Sequence, residues 1–454
     1  MSAPPGLGER GPAAPGGSGP AAEGRRVAAD FVLRRASELV TMAPEAVAAV
    51  GADAVVGDDG LGVLQGAALA ARDGRVVWVG PERKLAAAVE TLAGAVELDA
   101  AGACVLPGFV DAHTHAVFAG SRAGEYAARL GGVSYAEILA SGGGINATVN
   151  ATRAATLVEL TTVTLKRLDS FLAHGTTTLE VKSGYGATTA DEERMLTAAA
   201  ASHPTRPRLT LRGAHFTPPE FAGRDDEFIA YVCDEMLPAL AGRADFVDVF
   251  CDEGAFSVAQ SRRVLEAGKS LGLGLKIHAD ELARSGGSQL AAEVGCVSAD
   301  HLVHAGPAEI AALRDAGVVA ALLPGTSFTL HQAYAPAREM LDAGLEIALA
   351  TDFNPGTCYC ESMQQVIALA CQEMRLTPAQ ALRAATAGGA AALGLRGQVG
   401  GLAPGMACDL IVLDAASRHE LPYHFGVNLA AVVVAGGRVV ARRGVPCHEA
   451  EVAR

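Results

Sequence analysis

From residue 108 to residue 352 the chain repeats one pattern, a strand-length apolar run followed by a stretch of helical character. Eight such runs can be marked, at 108–115, 176–182, 209–215, 246–252, 274–279, 298–303, 318–324 and 346–352. Helical stretches at 157–174, 257–271 and 378–393 fall between or after them, and Thr377-Pro378 reads as an N-cap and first-turn pair for the last. Alternation of this kind predicts βα units and a parallel sheet, and eight units fit a closed (β/α)8 TIM-type barrel. A doubly wound open sheet is the alternative, but no glycine-rich phosphate fingerprint follows the first run. Shorter β-like runs flank this middle at 67–70, 75–80, 409–413 and 432–440. They predict a small β-sandwich-like domain built from both termini, 27–106 plus 400–454, around a barrel at 107–399.

Composition narrows the setting. Half of the 454 residues are apolar and 19% are charged, enough for a large core. A formal net charge of −14 argues against a nucleic-acid surface, and no apolar run approaches the roughly 18 residues of a membrane span. Residues 1–26, rich in Gly, Ala and Pro, are expected to be a disordered tail. They lack the apolar segment of a secretory signal and carry the acidic residues that transit peptides avoid. Nine scattered cysteines without paired spacing point to a reducing, cytoplasmic setting. The Cys358-Tyr359-Cys360 pair reads as structural, since no second pair completes a thiolate metal cage.

The polar residues gather where a barrel does its chemistry, at the carboxyl ends of the strands: His113, His115, Lys182, His215, His278, His301 and Asp352. In a strand, residues i and i+2 share a face, so His113 and His115 can turn toward one ion. With His278 and Asp352, three imidazoles and a carboxylate form a set suited to zinc or iron with one position kept for water. Singly, each has an ordinary reading: surface histidines, a core histidine at 301, a helix cap at Asp352. His304 belongs to a helix-side loop. His301 at a sixth strand end would polarise a carbonyl or stabilise an oxyanion. Glu281, three residues beyond His278, is either a proton-handling group or a solvated loop carboxylate. Arg122 suits a bidentate grip on a substrate carboxylate, its plain alternative being an ion pair with Glu125. Ser141-Gly142-Gly143-Gly144-Ile145 lacks the ending of a nucleotide loop and reads as a flexible active-site loop.

LPGFVDAHTH, the later histidine and the aspartate after an eighth strand resemble the metal-dependent amidohydrolase superfamily. HTHAVFAGSR, SGGGINATVNATR, GTTTLEVKSGYG, RGAHFTPPEF, DVFCDEGAF, KIHADE, SADHL, LPGTSF, ATDFNPGT and YHFGVN are similar to segments of the imidazolonepropionase family. That resemblance spans about residues 106–428. It implies hydrolysis of 4-imidazolone-5-propanoate to N-formimidoyl-L-glutamate in histidine degradation. It further implies metal ligation by His113, His115, His278 and Asp352, and a substrate pocket of Arg122, Tyr185, His215, Glu281, Asn354, Gly356 and Thr357. Glu281, His301 and Asp352 become the catalytic groups. Two-metal relatives use a lysine on the fourth strand, absent here, so one zinc or iron ion per subunit is expected. The implied partner is a small molecule with a carboxylate tail, with no nucleic acid or membrane, and a homodimer is a family-level expectation. The long tail, the acidic pair in CDEG and the segment Thr357-Cys358-Tyr359-Cys360-Glu361 depart from the family pattern. The rivals are a deaminase of the same superfamily, which need not keep Arg122, and a non-catalytic barrel that has lost its metal.

Overall fold

The computed structural model describes residues 26–48, 59–134, 137–138 and 142–447. The expected tail up to residue 25, Ser141 of the glycine-rich loop and the last residues, 448–454, lie outside them.

All eight expected barrel strands form, as one parallel sheet in sequential order. They are β1 (Phe109–Asp111), β2 (Thr176–Lys182), β3 (Arg206–Ala214), β4 (Phe246–Cys251), β5 (Gly274–Ala279), β6 (Ser298–His301), β7 (Val319–Leu322) and β8 (Ile347–Leu349). β-Branched and apolar residues dominate these segments, which are buried on both faces as a helix-covered parallel sheet requires. The helices between them begin at capping boxes where the sequence offers Ser or Thr three residues before Glu or Gln. Thr156 with Glu159 opens Leu157–Ala173, and Ser257 with Gln260 opens Val258–Ser270. The expected Thr377-Pro378 start is capped in the same way by Gln380.

β1 and β8 meet only past their ends. Thr114 pairs in parallel with Phe353, His115 N–H donates to the Phe353 carbonyl at 2.8 Å, and Asp352 N–H donates to the His113 carbonyl at 3.0 Å. Thr351 reinforces this seam by donating from its N–H and hydroxyl to the Asp111 carboxylate, at 3.0 and 2.6 Å. The barrel is therefore closed at its carboxyl rim by the two segments that carry His113, His115 and Asp352.

Both ends of the chain build a second, nine-stranded sheet. Val27–Val40, Val63–Arg72, Arg75–Pro81, Val89–Asp99 and Val105–Pro107 come from the amino-terminal side, and Leu410–Leu413, Ala430–Ala435, Arg438–Arg442 and Val445–Pro446 from the other. Val105–Pro107 joins the halves, pairing with Leu410–Leu413 on one side and Val27–Val40 on the other. Its core is Phe31, Leu33, Leu69, Val105, Leu410 and their neighbours. Among the described residues no helix is long and apolar enough to cross a membrane.

The stretch expected as one helix over 378–393 is Pro378–Arg383, a π-helical turn Ala384–Gly388, and Gly389–Ala392. It packs directly on the seam strands. A β-carbon at Gly388 would collide with the Ile347 carbonyl, and one at Gly389 with the Val110 carbonyl. Only backbone without a side chain fits there. Gly389→Val is expected to cost at least about 1–3 kcal/mol of stability by overpacking. A urea unfolding curve with an unchanged midpoint would contradict this packing.

Candidate metal-dependent active site

The imidazoles of His113, His115 and His278 meet above the barrel axis, with ring centroids 5.3 Å apart for the first pair, 4.5 Å for His113 and His278, and 5.8 Å for His115 and His278. Asp352 Oδ1 lies 3.4 Å from His113 Nε2 and 3.7 Å from His115 Nε2. The other carboxylate oxygen accepts a 2.5 Å hydrogen bond from the Thr326 hydroxyl. Ligand atoms of His113, His115 and Asp352 fall within 4.8 Å of one another, and so do those of His113, His278 and His301. The four residues expected to hold an ion are thus together, in two overlapping groups that share His113.

Their tautomers are set from below. His113 Nδ1–H donates to Asp300 at 2.7 Å, and His278 Nδ1–H donates to Asp248 Oδ1 at 3.2 Å. That leaves Nε2 of each as a lone pair directed at the cluster, and both are buried without a hydrogen-bond partner. Buried, orphaned acceptors on two histidines beside a carboxylate fit a divalent cation, which needs neutral imidazole and ionised carboxylate. Burial, with the charge of Arg212, pushes His115 and His278 well below the usual histidine range. His113 goes the other way: burial and Lys182 oppose its protonation, but Asp300 and Asp352 outweigh them. For Asp352, burial is overcome by His113, His301 and Thr326, which bring it down to about 2.

His301 stands 5.1 Å from the His278 ring, and its Nε2 is 3.4 Å from Glu281 Oε2. Burial holds His301 down to about 3, so it is a neutral imidazole. Glu281 is no solvated loop group: burial first, then the Asp352 charge, lift it to about 8. His301 at φ 75° and Asp352 at φ 50° occupy left-handed backbone, which costs roughly 1–3 kcal/mol per residue and clusters at functional sites. On the far wall His215 stacks on His115 at 5.9 Å, and the Tyr185 ring is 5.3 Å from His215. The Arg122 guanidinium sits against Gly356, where a β-carbon would collide with it. Arg122 also makes the ion pair with Glu125, at 2.7 Å, and Glu125 in turn accepts from Gly144 N–H at 3.0 Å, tying the glycine-rich loop to the arginine.

The amidohydrolase family pattern matches residues 104–440. An imidazolonepropionase of Symbiobacterium thermophilum is 50% identical over 389 residues, covering 84% of this chain and 92% of that protein. One from Geobacillus kaustophilus is 44% identical over 418 residues, covering 91% and 98%. The chain belongs to the imidazolonepropionase family.

As an amidohydrolase of that family it is a metal-dependent hydrolase. Its fold is shared more widely. An adenosine deaminase of Xanthomonas campestris with bound zinc superposes with TM-score 0.70 at 19% identity, covering 94% of this chain and 96% of that one. A triazine hydrolase variant gives 0.68 at 20%, covering 92% and 96%.

Two expectations need adjustment. Lys182 does not face the rim; it is fully buried inside the barrel, bonded to Glu180 at 3.0 Å, Asp248 at 3.1 Å and Asp300 at 3.3 Å. Asn354 and Thr357 bond mainly to their own loop: the Asn354 side chain accepts from Gly356 and Thr357 N–H and donates to the Asp352 carbonyl. The acidic pair in CDEG gains a role, since Asp252 accepts from the N–H groups of Glu281, Leu282 and Ala283. Sequence reasoning missed the layer beneath the histidines, Glu180, Asp248, Lys276 and Asp300, with Arg212 and Thr326 beside it. Its signal was present: Glu180 and Lys182, and Lys276 and His278, are spaced two apart in otherwise apolar strands, so each pair faces the barrel interior. Asp300→Asn and Asp248→Asn are each expected to weaken cation binding about 10- to 100-fold. Chelator competition would read this, and wild-type retention in both variants would rule out an orienting role.

Proposed function

We propose that this chain hydrolyses 4-imidazolone-5-propanoate to N-formimidoyl-L-glutamate, at one zinc or iron ion held by His113, His115, His278 and Asp352. The observation that carries this reading is the placement of Glu281, His301 and the Arg122–Tyr185 wall around a single cluster of metal-type donors. A bound ion of this kind supplies Lewis acidity and makes water nucleophilic near neutral pH.

The rest of the chemistry falls to the protein. Arg122 and the Tyr185 hydroxyl grip the propionate tail, so that the ring carbonyl is presented at a fixed place. Burial keeps the Tyr185 hydroxyl protonated and able to donate. Glu281 takes the proton of the attacking water and returns it to the ring nitrogen as the carbonyl carbon–nitrogen bond breaks. Burial raises Glu281 and so favours its holding a proton, while Asp352 is engaged as a ligand of the ion. His301, neutral and beside Glu281, donates to the oxygen that gains charge in the tetrahedral state.

Lys182 and Lys276 support a single ion. Their ammonium groups already pair with Glu180, Asp248 and Asp300, and Glu180 and Asp300 are the carboxylates of the other donor group beside His113. All nine cysteines are free, which supports a cytoplasmic setting.

Metal-analysed protein mixed with fresh imidazolone propionate is expected to speed the loss of its ultraviolet absorbance, and decay at the spontaneous rate would reject the substrate. Because Glu281 must be unprotonated to act, kcat/KM is expected to fall as pH drops through an apparent pKa at or below about 8, a bound cation lowering it. Glu281→Gln should remove that limb and about 10²- to 10⁴-fold of the rate. Near-normal turnover would take Glu281 out of the mechanism.

A further inference from the structure

Tyr185 and His215 stand side by side in the candidate site, and the loop that carries Tyr185 is gathered by one buried carboxylate. Glu192 lies in the first turn of the helix Thr189–Ala199 and is fully buried. One of its oxygens accepts from Gly184 N–H at 2.8 Å, and the other from Gly186 and Ala187 N–H at 2.7 and 2.8 Å. With the Ser183 hydroxyl as a further partner, its acceptors are spent on the loop after β2, on either side of Tyr185. A carboxylate taken out of water needs such donors, and charged acceptors give the shorter, stronger hydrogen bonds.

The same loop reaches the other binding residue. The Gly184 carbonyl accepts from His215 Nδ1–H at 2.9 Å, which leaves His215 Nε2 as an acceptor. Ser183 Oγ accepts from Arg212 N–H at 3.1 Å, tying the loop to β3, the strand that leads into His215. Gly184 sits at φ 118°, a conformation that needs glycine, so the carbonyl is aimed by backbone that would relax without the anchor.

We propose that Glu192 is a positioning residue for substrate: by gathering three N–H groups of one loop it sets both the aim of Tyr185 and the tautomer of His215. The pocket then offers a hydroxyl donor for the carboxylate tail and a histidine acceptor for a ring N–H. This inference rests on the proposed roles of Tyr185 and His215.

Glu192→Gln in the metal-loaded full chain is the test, because the amide keeps one acceptor but turns an NH2 group toward the backbone donors. Metal content should match the wild type while kcat/KM falls about 10- to 100-fold, as misplacement of binding groups does. Tyr185→Phe should then cost far less in the Glu192→Gln background than in the wild type, since both act on one contact. Nitrogen NMR of labelled histidine should show His215 as the Nδ1–H tautomer in the wild type and a mixture in the variant. Additive effects of the two substitutions with an unchanged His215 signal overturn the inference. Should Glu192→Gln not fold, Gly186→Ala serves in the same cycle, for its β-carbon would press on Asp191 Cβ and Glu192 N at 2.7 Å and shift the loop. The His215 signal needs no turnover. A wild type inactive on imidazolone propionate rejects the substrate assignment, while the spectrum still decides the role of Glu192.

Discussion

Five charged side chains that the barrel strands turn inward, Glu180, Lys182, Asp248, Lys276 and Asp300, are all fully buried and bonded to one another. Removing so many charges from water is costly, and the interior accepts them only because each has partners of the opposite sign. Deleting one partner of such a set costs about 3–5 kcal/mol, since the charge left behind has nowhere to turn. The layer bears on the site because Asp300 and Asp248 each also hold a histidine by Nδ1. Orientation of His113 and His278 is thereby locked to the electrostatic balance of the core beneath them.

Above that layer the rim loops combine apolar packing, with Phe118, Tyr185 and Phe353 in one buried cluster, and carboxylate or amide acceptors that gather backbone N–H groups. Asp252 collects the N–H groups of Glu281 and the two residues after it, Glu192 those around Tyr185, Asn354 those after Asp352, and Glu125 that of Gly144 at the end of the glycine-rich segment. The left-handed backbone of Asp352 is pinned at the seam with β1, where its N–H donates to the His113 carbonyl.

Fold and chemistry separate cleanly in the relatives. Proteins at 19–20% identity, a deaminase and a triazine hydrolase, share the barrel and the second sheet over more than nine-tenths of the chain. The fold by itself therefore does not name a substrate, and the functional reading has to come from the site.

The eight strands, the β-rich ends and the presence of His113, His115, His278, His301 and Asp352 at strand ends were legible in the amino-acid order. Period-two and helical patterning report local burial, and a strand end places its last polar side chain at the rim whatever its neighbours are. Lys182 was placed at the rim for the same reason: one strand cannot tell whether its terminal cation meets solvent or, beside its own Glu180, the carboxylates of two other strands. Tertiary structure alone decided that the barrel closes through the residues carrying the ligands, that Glu281 is buried beside His301, and which side chains anchor the loops. Each of these depends on contacts between segments distant in sequence, and the energy of a buried charge or a hydrogen bond is set by the partner it meets, which no local pattern encodes.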